Sequence, residues 1–421
     1  MKYAVLTFGC RVNQADSIGV EEDLLAAGAV PGAPDAADVV VVNTCSVTAT
    51  SEQGARQAIR RVVRDNPGVR IVVTGCYATR RPDEVARLPN VVGVTPNGDK
   101  PRLVSVLLPD RARIRRPGDD ASGCRAVVEP GVAGRTAFTL RVQTGCAEAC
   151  SFCIIPSTRG PSRSVPVAGV LSEVARAAAA GFKEIALAGV HLGSYGRELT
   201  PPSSLADLLR ALDGLRDTPS NILFRLSSLE PMDCSPEIVD LLASSARFAP
   251  HVHLPLQHAS GRVLAAMRRP YALEYFAALV DGIRRRMSGA SIGSDVIVGF
   301  PGETEEDFEQ LAAYLERSPL THLHVFPYSD RAGTAASAMA GRVDGRVIRE
   351  RGRRAREIGR VLSDRFRTAQ IGTIHRALTI DDGTLAVTGN YLKVRIPPGR
   401  ARNEWVRVRI ASQHDGELLG G

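Results

Sequence analysis

Short apolar runs alternate with amphipathic segments over the first 115 residues. The runs at 3–7, 39–42 and 71–74 are rich in β-branched residues, as in strands buried on both faces. The segments 16–27 and 51–66 between them have helical character. Strand–helix–strand repeats of this kind predict an α/β region with a doubly wound parallel sheet, which we place at residues 1–115.

The same alternation repeats six times between residues 136 and 366. Strands are predicted at 138–142, 183–187, 222–226, 252–254, 292–298 and 322–326. Helices are predicted at 167–180, 205–212, 236–246, 260–286 with a break at Pro270, and 304–318. Six units are two fewer than a full (β/α)8 barrel has, so the pattern predicts a partial (β/α)6 barrel with an open side. Residues 116–135 are predicted to be a linker.

A basic helix and a short run of strand patterns end the chain. Residues 341–376 contain eleven arginines against four acidic residues, which favours a surface that faces a polyanion. A helix is predicted at 346–367, and its expected packing side is Val347, Ile348, Ile358, Val361 and Leu362. Residues 367–421 predict a small antiparallel β-barrel. Its candidate phosphate-contacting residues are Tyr391, Lys393, Arg395, Arg400, Arg402 and Arg407.

Charge and composition narrow the functional class. The 421 residues include 53 Lys and Arg against 45 Asp and Glu, a net charge of +8 that is compatible with a nucleic-acid partner. Arginine enrichment through a biased genome composition is an equally simple explanation of that total. Because no signal peptide or membrane-spanning run is evident, we expect a cytoplasmic protein without a membrane partner. In a reducing compartment, the eight cysteines are expected to be metal ligands or reactive thiols.

Three of the cysteines lie within eight residues of one another. Cys146, Cys150 and Cys153 follow the first predicted strand of the barrel, at the mouth where such folds place their chemistry. A [4Fe–4S] cluster usually takes four cysteines, so three leave one iron open to another ligand. A zinc or redox site completed by Cys124 or Cys234 is the alternative interpretation.

Three further cysteines each follow a predicted strand of the N-terminal region. They are Cys10, Cys45 and Cys76, spaced by 35 and 31 residues. The carboxyl ends of parallel strands meet at one edge of a sheet, so we expect the three thiols to converge on one crevice. A second cluster with three protein ligands is the favoured interpretation, and three buried small side chains are the alternative.

The order of these motifs resembles the radical S-adenosylmethionine methylthiotransferases over nearly the whole chain. The matching motifs are Thr-Phe-Gly-Cys10-Arg-Val-Asn13, Asn43-Thr-Cys45-Ser-Val-Thr48, Thr-Gly-Cys76-Tyr-Ala78, the Cys146/Cys150/Cys153 motif, Leu254-Pro-Leu-Gln257 and Asp295-Val-Ile-Val-Gly-Phe-Pro-Gly-Glu303. The C-terminal region looks like the family's TRAM domain. The resemblance implies two [4Fe–4S] clusters, one on each cysteine triad, and S-adenosylmethionine as cofactors. Barrel-mouth residues expected to contact S-adenosylmethionine are Gly189, Ser228, Glu230 and Gln257.

The resemblance also suggests a substrate. Arg11-Val12-Asn13, Val47-Thr48 and 56–60 look most like the branch that acts on N6-threonylcarbamoyladenosine beside the tRNA anticodon. That branch implies tRNA as partner and a flavodoxin- or ferredoxin-like reductant protein. The Gln257-His258-Ala259-Ser260 motif instead resembles the branch that modifies an aspartate of a ribosomal protein. Methylthiolation of isopentenyladenosine in tRNA is a third activity compatible with the motifs, and an RNA-binding iron–sulfur redox sensor is the non-enzymatic interpretation.

Overall fold

The computed structural model describes residues 1–108, 128–216 and 221–421. Cys124 and residues 116–127 of the predicted linker lie outside the described residues. Within the described residues, no helix combines the length and apolar character needed to cross a bilayer.

The N-terminal region is a parallel five-stranded sheet in the order β2-β1-β3-β4-β5, as the alternation of runs predicts. Its elements are β1 (Lys2–Thr7), α1 (Arg11–Ala26), β2 (Val30–Pro31), β3 (Val39–Thr44), α2 (Ala49–Asp65), β4 (Arg70–Gly75), α3 (Cys76–Arg80), α4 (Pro82–Ala86), β5 (Val91–Thr95) and α5 (Leu103–Leu107). The central strand β3 is buried along its whole length because helices cover both faces of the sheet. Helix α1 begins five residues earlier than predicted, directly after Cys10.

The central region contains the six predicted parallel strands as two three-stranded sheets, β6-β9-β10 and β11-β12-β13. Its elements are β6 (Phe138–Arg141), β7 (Gln143–Thr144), α6 (Ile155–Arg159), β8 (Arg163–Ser164), α7 (Val167–Ala179), β9 (Glu184–Ala188), α8 (Leu205–Asp213), β10 (Leu223–Leu226), α9 (Pro236–Ser244), β11 (His251–His253), α10 (Gly261–Ala266), α11 (Leu273–Arg286), β12 (Ser291–Val298), α12 (Glu305–Arg317), β13 (His322–Pro327) and α13 (Gly345–Thr368). Isolated bridges, among them Ser228 to His253, join the two sheets into the partial barrel. Its hydrophobic core also includes Ile18 of α1, so the N-terminal region packs directly on the barrel.

The C-terminal region is a closed ring of five strands in the order β14-β15-β16-β18-β17. The strands are β14 (Ile374–Ile380), β15 (Leu385–Thr388), β16 (Lys393–Arg395), β17 (Trp405–His414) and β18 (Glu417–Gly420). The prediction of an antiparallel barrel is corrected in one respect, because β16 and β18 pair in parallel. Strand directions cannot alternate all the way around a ring with an odd number of strands, so one of the five pairings must be parallel.

The basic helix α13 lies against the barrel. Ile358 and Leu362 are buried as predicted, whereas Val361 is 52% exposed, so its assignment to the packing side is wrong. The buried side instead includes Gly352, Ala355 and Gly359, whose small side chains let the helix approach β13 closely. A Cβ on Gly359 would already lie 3.2 Å from Leu323.

Candidate active site

The cysteines of the N-terminal triad follow three adjacent parallel strands. Cys10, Cys45 and Cys76 come after β1, β3 and β4, and the register pairs the end of each strand with the end of its neighbour. Gly9 has φ +95°, and a Cβ there would lie 2.6 Å from the Cys45 Sγ. The backbone before Cys10 therefore approaches Cys45 more closely than any other residue type allows.

The N-terminal triad opens on one side only. Cys45 and Cys76 are buried, and Cys10 is exposed. Burial, with a smaller contribution from the neighbouring Cys10 and Cys76, raises the pKa of Cys45 to about 11, because a thiolate at either neighbour would repel a second negative charge. This electrostatic coupling shows that the three thiols face one common space.

The barrel triad belongs to a single loop that is held at both ends. Gly145 has φ +75°, and a Cβ there would overlap the carbonyl oxygen of Pro161. The amide of Cys146 donates to Gly160 O at 3.1 Å, and the amide of Ser151 donates to Met267 O at 3.1 Å across the barrel mouth. The loop is thus held in place by backbone hydrogen bonds to both of its sides.

Two polar side chains contact the thiols of the barrel triad. Arg269 is buried, and its Nη1 donates to Cys150 Sγ at 3.2 Å while its other nitrogens contact Glu230 and Tyr271. His191 lies 3.8 Å from Cys146 Sγ and 2.6 Å from Asp233. Burial lowers the pKa of His191, but the hydrogen bonds to Asp233 and Cys146 outweigh it and raise the pKa to about 10. Both residues belong to stretches that the sequence marks, the barrel-mouth segment 188–193 and the motif Met267-Arg-Arg-Pro-Tyr271, but their contacts with the cysteines were not predicted, because neither residue lies near a cysteine in the chain.

Spacing distinguishes a cluster from a single metal ion. Tetrahedral zinc places its sulfur ligands about 3.8 Å apart. Among the described residues, the one group of three potential ligands within 4.8 Å of one another is His253, Asp295 and His324, and neither cysteine triad qualifies. The cysteines therefore suit a group wider than one ion, as an iron–sulfur cluster is. Cys234 is not a fourth ligand, because it is buried in the hydrophobic core of the barrel.

A cavity of about 1100 Å³ lies between the N-terminal sheet, the barrel and the C-terminal ring. Cys10 and Cys45 line one part of it, and Tyr391 of the ring lines another. Of the four predicted cofactor contacts, Gly189 and Ser228 line this cavity. The other two predicted contacts have protein partners. Arg269 binds the Glu230 carboxylate. Gln257 has φ +64°, and its backbone carbonyl accepts a hydrogen bond from the Ile297 amide at 2.8 Å. The structure thus brings together two of the four.

Histidines form one wall of the cavity. His251, His253, His322 and His324 project from β11 and β13 on either side of β12. Gly293 of β12 leaves room for them, since a Cβ there would overlap His322 and lie 2.7 Å from His253. Burial lowers the pKa of His251 well below its usual value, and it lowers the pKa of His322 to about 3, so both are neutral at pH 7.

A buried carboxylate joins the N-terminal region to the barrel. Asp16 of α1 accepts from Lys100 at 2.6 Å and from Arg159 at 3.0 Å, and it also contacts Arg141. Burial alone would raise the pKa of Asp16, but the three cations hold it well below its usual range. Because Arg159 ends the helix that follows Cys153 and Asp16 lies six residues after Cys10, this contact fixes the position of one triad relative to the other.

Comparison with known proteins agrees with this arrangement. The family model described as "Uncharacterized protein family UPF0004" matches residues 2–95, and the Radical SAM superfamily model matches residues 140–315. The radical S-adenosylmethionine methyltransferase TsrM from Kitasatospora setae, solved with cobalamin and a [4Fe–4S] cluster, aligns with a TM-score of 0.56. The alignment covers 80% of this chain and 76% of that chain at 18% identity, which confirms the fold.

Three curated relatives are more similar in sequence. Threonylcarbamoyladenosine tRNA methylthiotransferase MtaB of Aquifex aeolicus is 36% identical over 97% of this chain and 100% of its own length. The tRNA-2-methylthio-N(6)-dimethylallyladenosine synthase of Leifsonia xyli is 35% identical over 83% of this chain and 66% of its own length. Ribosomal protein uS12 methylthiotransferase RimO of Roseiflexus is 32% identical over 100% of this chain and 97% of its own length. With one cysteine triad in the N-terminal region, another in the barrel and this similarity along its length, the chain belongs to the radical S-adenosylmethionine methylthiotransferases.

Proposed function

We propose that the protein methylthiolates C2 of N6-threonylcarbamoyladenosine next to the tRNA anticodon, giving the 2-methylthio derivative. The observation that carries the proposal is the single cavity that Cys10 and Cys45 share with Gly189 and Ser228 of the barrel. A base that enters this cavity meets the N-terminal triad and the barrel mouth together. The named relative of Aquifex aeolicus, similar along its whole length, supports this choice of base.

The family implies a [4Fe–4S] cluster and S-adenosylmethionine, and the barrel triad fits the cluster. Cys146, Cys150 and Cys153 would hold it with one iron open, while Gly189 and Ser228 stand where the adenosyl group is expected. When bound, these cofactors supply the radical that removes hydrogen from an unreactive C–H bond. The protein's part is to hold the base against the regions whose residues line the cavity. Arg269 places a positive charge beside Cys150, where it stabilises the thiolate.

The N-terminal triad is proposed to hold a second [4Fe–4S] cluster. Three thiols converge at the carboxyl edge of a parallel sheet, spaced more widely than a single ion requires, and Gly9 and Gly75 give the surrounding backbone its close approach. A cluster held there by three cysteines also has one open iron. Cys10 and Cys45 line the cavity, so such a cluster would supply sulfur beside the bound base.

A basic surface supports an RNA substrate. Arg346, Arg349 and Arg356 of α13 are exposed and form no ion pair with any described residue. Helix α13 also contributes Ser363 and Arg367 to the cavity wall, so phosphates along the helix would lead to the cavity entrance. A flavodoxin- or ferredoxin-like reductant protein completes the proposed reaction.

The ribosomal-protein alternative loses its best support from the sequence. His258, the residue that distinguishes the Gln257-His258 motif, is fully buried and accepts a hydrogen bond from the Ser260 amide at 3.0 Å. Ser260 in turn caps α10 through the Val263 amide. The motif therefore helps to begin a helix, and His258 does not line the cavity.

Mass spectrometry of nucleosides from total tRNA tests the proposal. Cells that lack the protein should lose 2-methylthio-N6-threonylcarbamoyladenosine and accumulate its precursor, and the wild-type gene should restore it. A Cys45→Ala gene should not restore it, whereas a Cys234→Ala gene should. If cells that lack the protein keep their tRNA modification but have an unmodified aspartate in the ribosomal protein, the ribosomal-protein activity is favoured instead.

A further inference from the structure

Arg11 differs from the other arginines that line the cavity. Arg159 is paired with Asp16 at 3.0 Å, and Arg367 is paired with Asp364 at 3.1 Å. The partly buried Arg11 has no acidic partner among the described residues, and its Nη2 donates to the Tyr391 hydroxyl at 2.5 Å. Arg11 therefore lines the cavity as a cation without a counter-ion of its own, and such a group suits an anionic ligand.

Tyr391 is held in place around this contact. Its ring lies between the Arg225 guanidinium at 4.4 Å and the His251 ring at 5.0 Å. Arg225 is itself fixed, since it is fully buried and paired with Glu184 at 2.9 Å. Tyr391 also has φ +68°, a conformation that is rare for a bulky residue and that commonly marks a functional position.

The pair has the chemistry of an anion site. The Arg11 guanidinium keeps further N–H donors beyond the one used on Tyr391. The Tyr391 hydroxyl accepts from Arg11, so its own proton is free to donate outward. Two such donors side by side at a cavity wall suit a carboxylate or phosphate oxygen.

We propose that Arg11 and Tyr391 bind the free carboxylate of the threonylcarbamoyl side chain on the substrate base. The inference rests on the proposed function, because that side chain is what makes the base anionic. A backbone phosphate of the RNA has the same chemistry. The carboxylate is favoured because Arg11 directly follows Cys10 and lines the interior of the cavity, where the modified base is expected. The site would then distinguish this base from one with an uncharged N6 substituent.

Binding to three anticodon stem-loops tests the proposal. One carries N6-threonylcarbamoyladenosine, the second carries its methyl ester, and the third carries unmodified adenosine. The wild-type holoenzyme should bind the acid about tenfold more tightly than the ester. Arg11→Gln should bind acid and ester equally, at the wild-type affinity for the ester. Tyr391→Phe should lose part of the preference.

Control variants make the result specific. Arg349→Gln removes an unpaired arginine of α13 outside the cavity, and it should weaken all three complexes equally while keeping the acid-to-ester ratio. Iron content is compared for every variant, because Arg11 is next to Cys10. If Arg11→Gln loads iron poorly, Tyr391→Phe supplies the test from a residue far from the cysteines in the chain.

Each outcome decides one question. An unchanged acid-to-ester ratio in the Arg11 and Tyr391 variants overturns the inference, and so does an equal loss for all three RNAs on Arg11→Gln, since that result assigns Arg11 to a phosphate. If either of these results is obtained but the wild-type enzyme still methylthiolates the stem-loop that carries the free acid, only the inference fails. If it neither prefers the acid over the ester nor methylthiolates it, the proposed function fails as well.

Discussion

The two cysteine triads are built in opposite ways. Cys146, Cys150 and Cys153 lie in one loop, so local spacing brings them together. Cys10, Cys45 and Cys76 are distant in the chain, and they meet because β1, β3 and β4 are adjacent and parallel. The loop triad depends on hydrogen bonds that hold its backbone, whereas the sheet triad depends on the whole N-terminal region being folded. The first kind is recognisable as a motif, and the second only through a topology.

Removing one thiol from each triad gives the largest expected effect. Cys150→Ala should abolish cleavage of S-adenosylmethionine, because it removes a ligand of the cluster proposed to perform it. Cys45→Ala should leave cleavage intact and abolish methylthio transfer. Chromatography of 5′-deoxyadenosine and of the modified nucleoside measures the two steps, with Cys234→Ala as the control that retains both. Loss of cleavage in Cys45→Ala would mean that the two triads do not have separate roles.

Alanine at the glycine of each triad is expected to have the next largest effect. Gly9→Ala and Gly145→Ala both add a Cβ at positive φ into occupied space. Each should lower the iron bound at its own triad and spare the other, as measured by iron analysis and by absorbance. The matched control is Gly19→Ala, since no atom lies within 4 Å of a Cβ there and alanine favours the helix by about 0.5–1 kcal/mol. If either variant lost the same amount of iron from both triads, the two triads would not be held independently.

The contact between the triads can be weakened separately. Asp16→Asn removes a buried charge that three cations share, so we expect a loss of about 3–5 kcal/mol in the free energy of unfolding. Asp240→Asn breaks the exposed pair with Arg286 and should cost less than about 1 kcal/mol. Denaturant unfolding of the two variants measures the difference. Equal stability of the two variants would show that Asp16 does not hold the regions together.

The smallest expected effect concerns the histidine wall of the cavity that Cys10 and Cys45 line. The hydrogen bond to Asp295 raises the pKa of His324, although burial opposes it. A group whose pKa is higher in the folded protein stabilises it below its unfolded pKa of about 6.5, and the stabilisation is lost as pH rises through the folded pKa. The melting temperature of wild type should therefore exceed that of His324→Gln more at pH 6 than at pH 9. A difference independent of pH would exclude this charge interaction.

Sequence patterns predicted much of this architecture. Buried strands such as β3 are continuous β-branched runs, and six strand–helix units predicted the partial barrel, because these features depend on local burial. The parallel pairing of β16 with β18 depends on ring closure, and the exposure of Val361 depends on which face of α13 meets the barrel. Neither is encoded locally.

The candidate site shows the same division. All six cysteines were predicted from the sequence, three from their spacing in one loop and three from their places after predicted strands. The pairing of Glu230 with Arg269 and the contact of Arg11 with Tyr391 join residues 39 and 380 positions apart. No pattern along the chain indicates such pairs. What the sequence could not supply was therefore the set of partners that polar groups acquire on folding.

The contact between Arg11 and Tyr391 has a consequence for biosynthesis. The sheet that carries the N-terminal triad is complete by residue 108, whereas the tyrosine that contacts Arg11 and lines the same cavity is residue 391. Ribosomes add about 5–20 residues per second, so translation of the intervening roughly 280 residues takes on the order of 15 to 60 s. During that interval the three thiols are folded into place and accessible to whatever delivers iron and sulfide. The triad that holds two buried thiols in the finished protein is thus the first that a nascent chain can present.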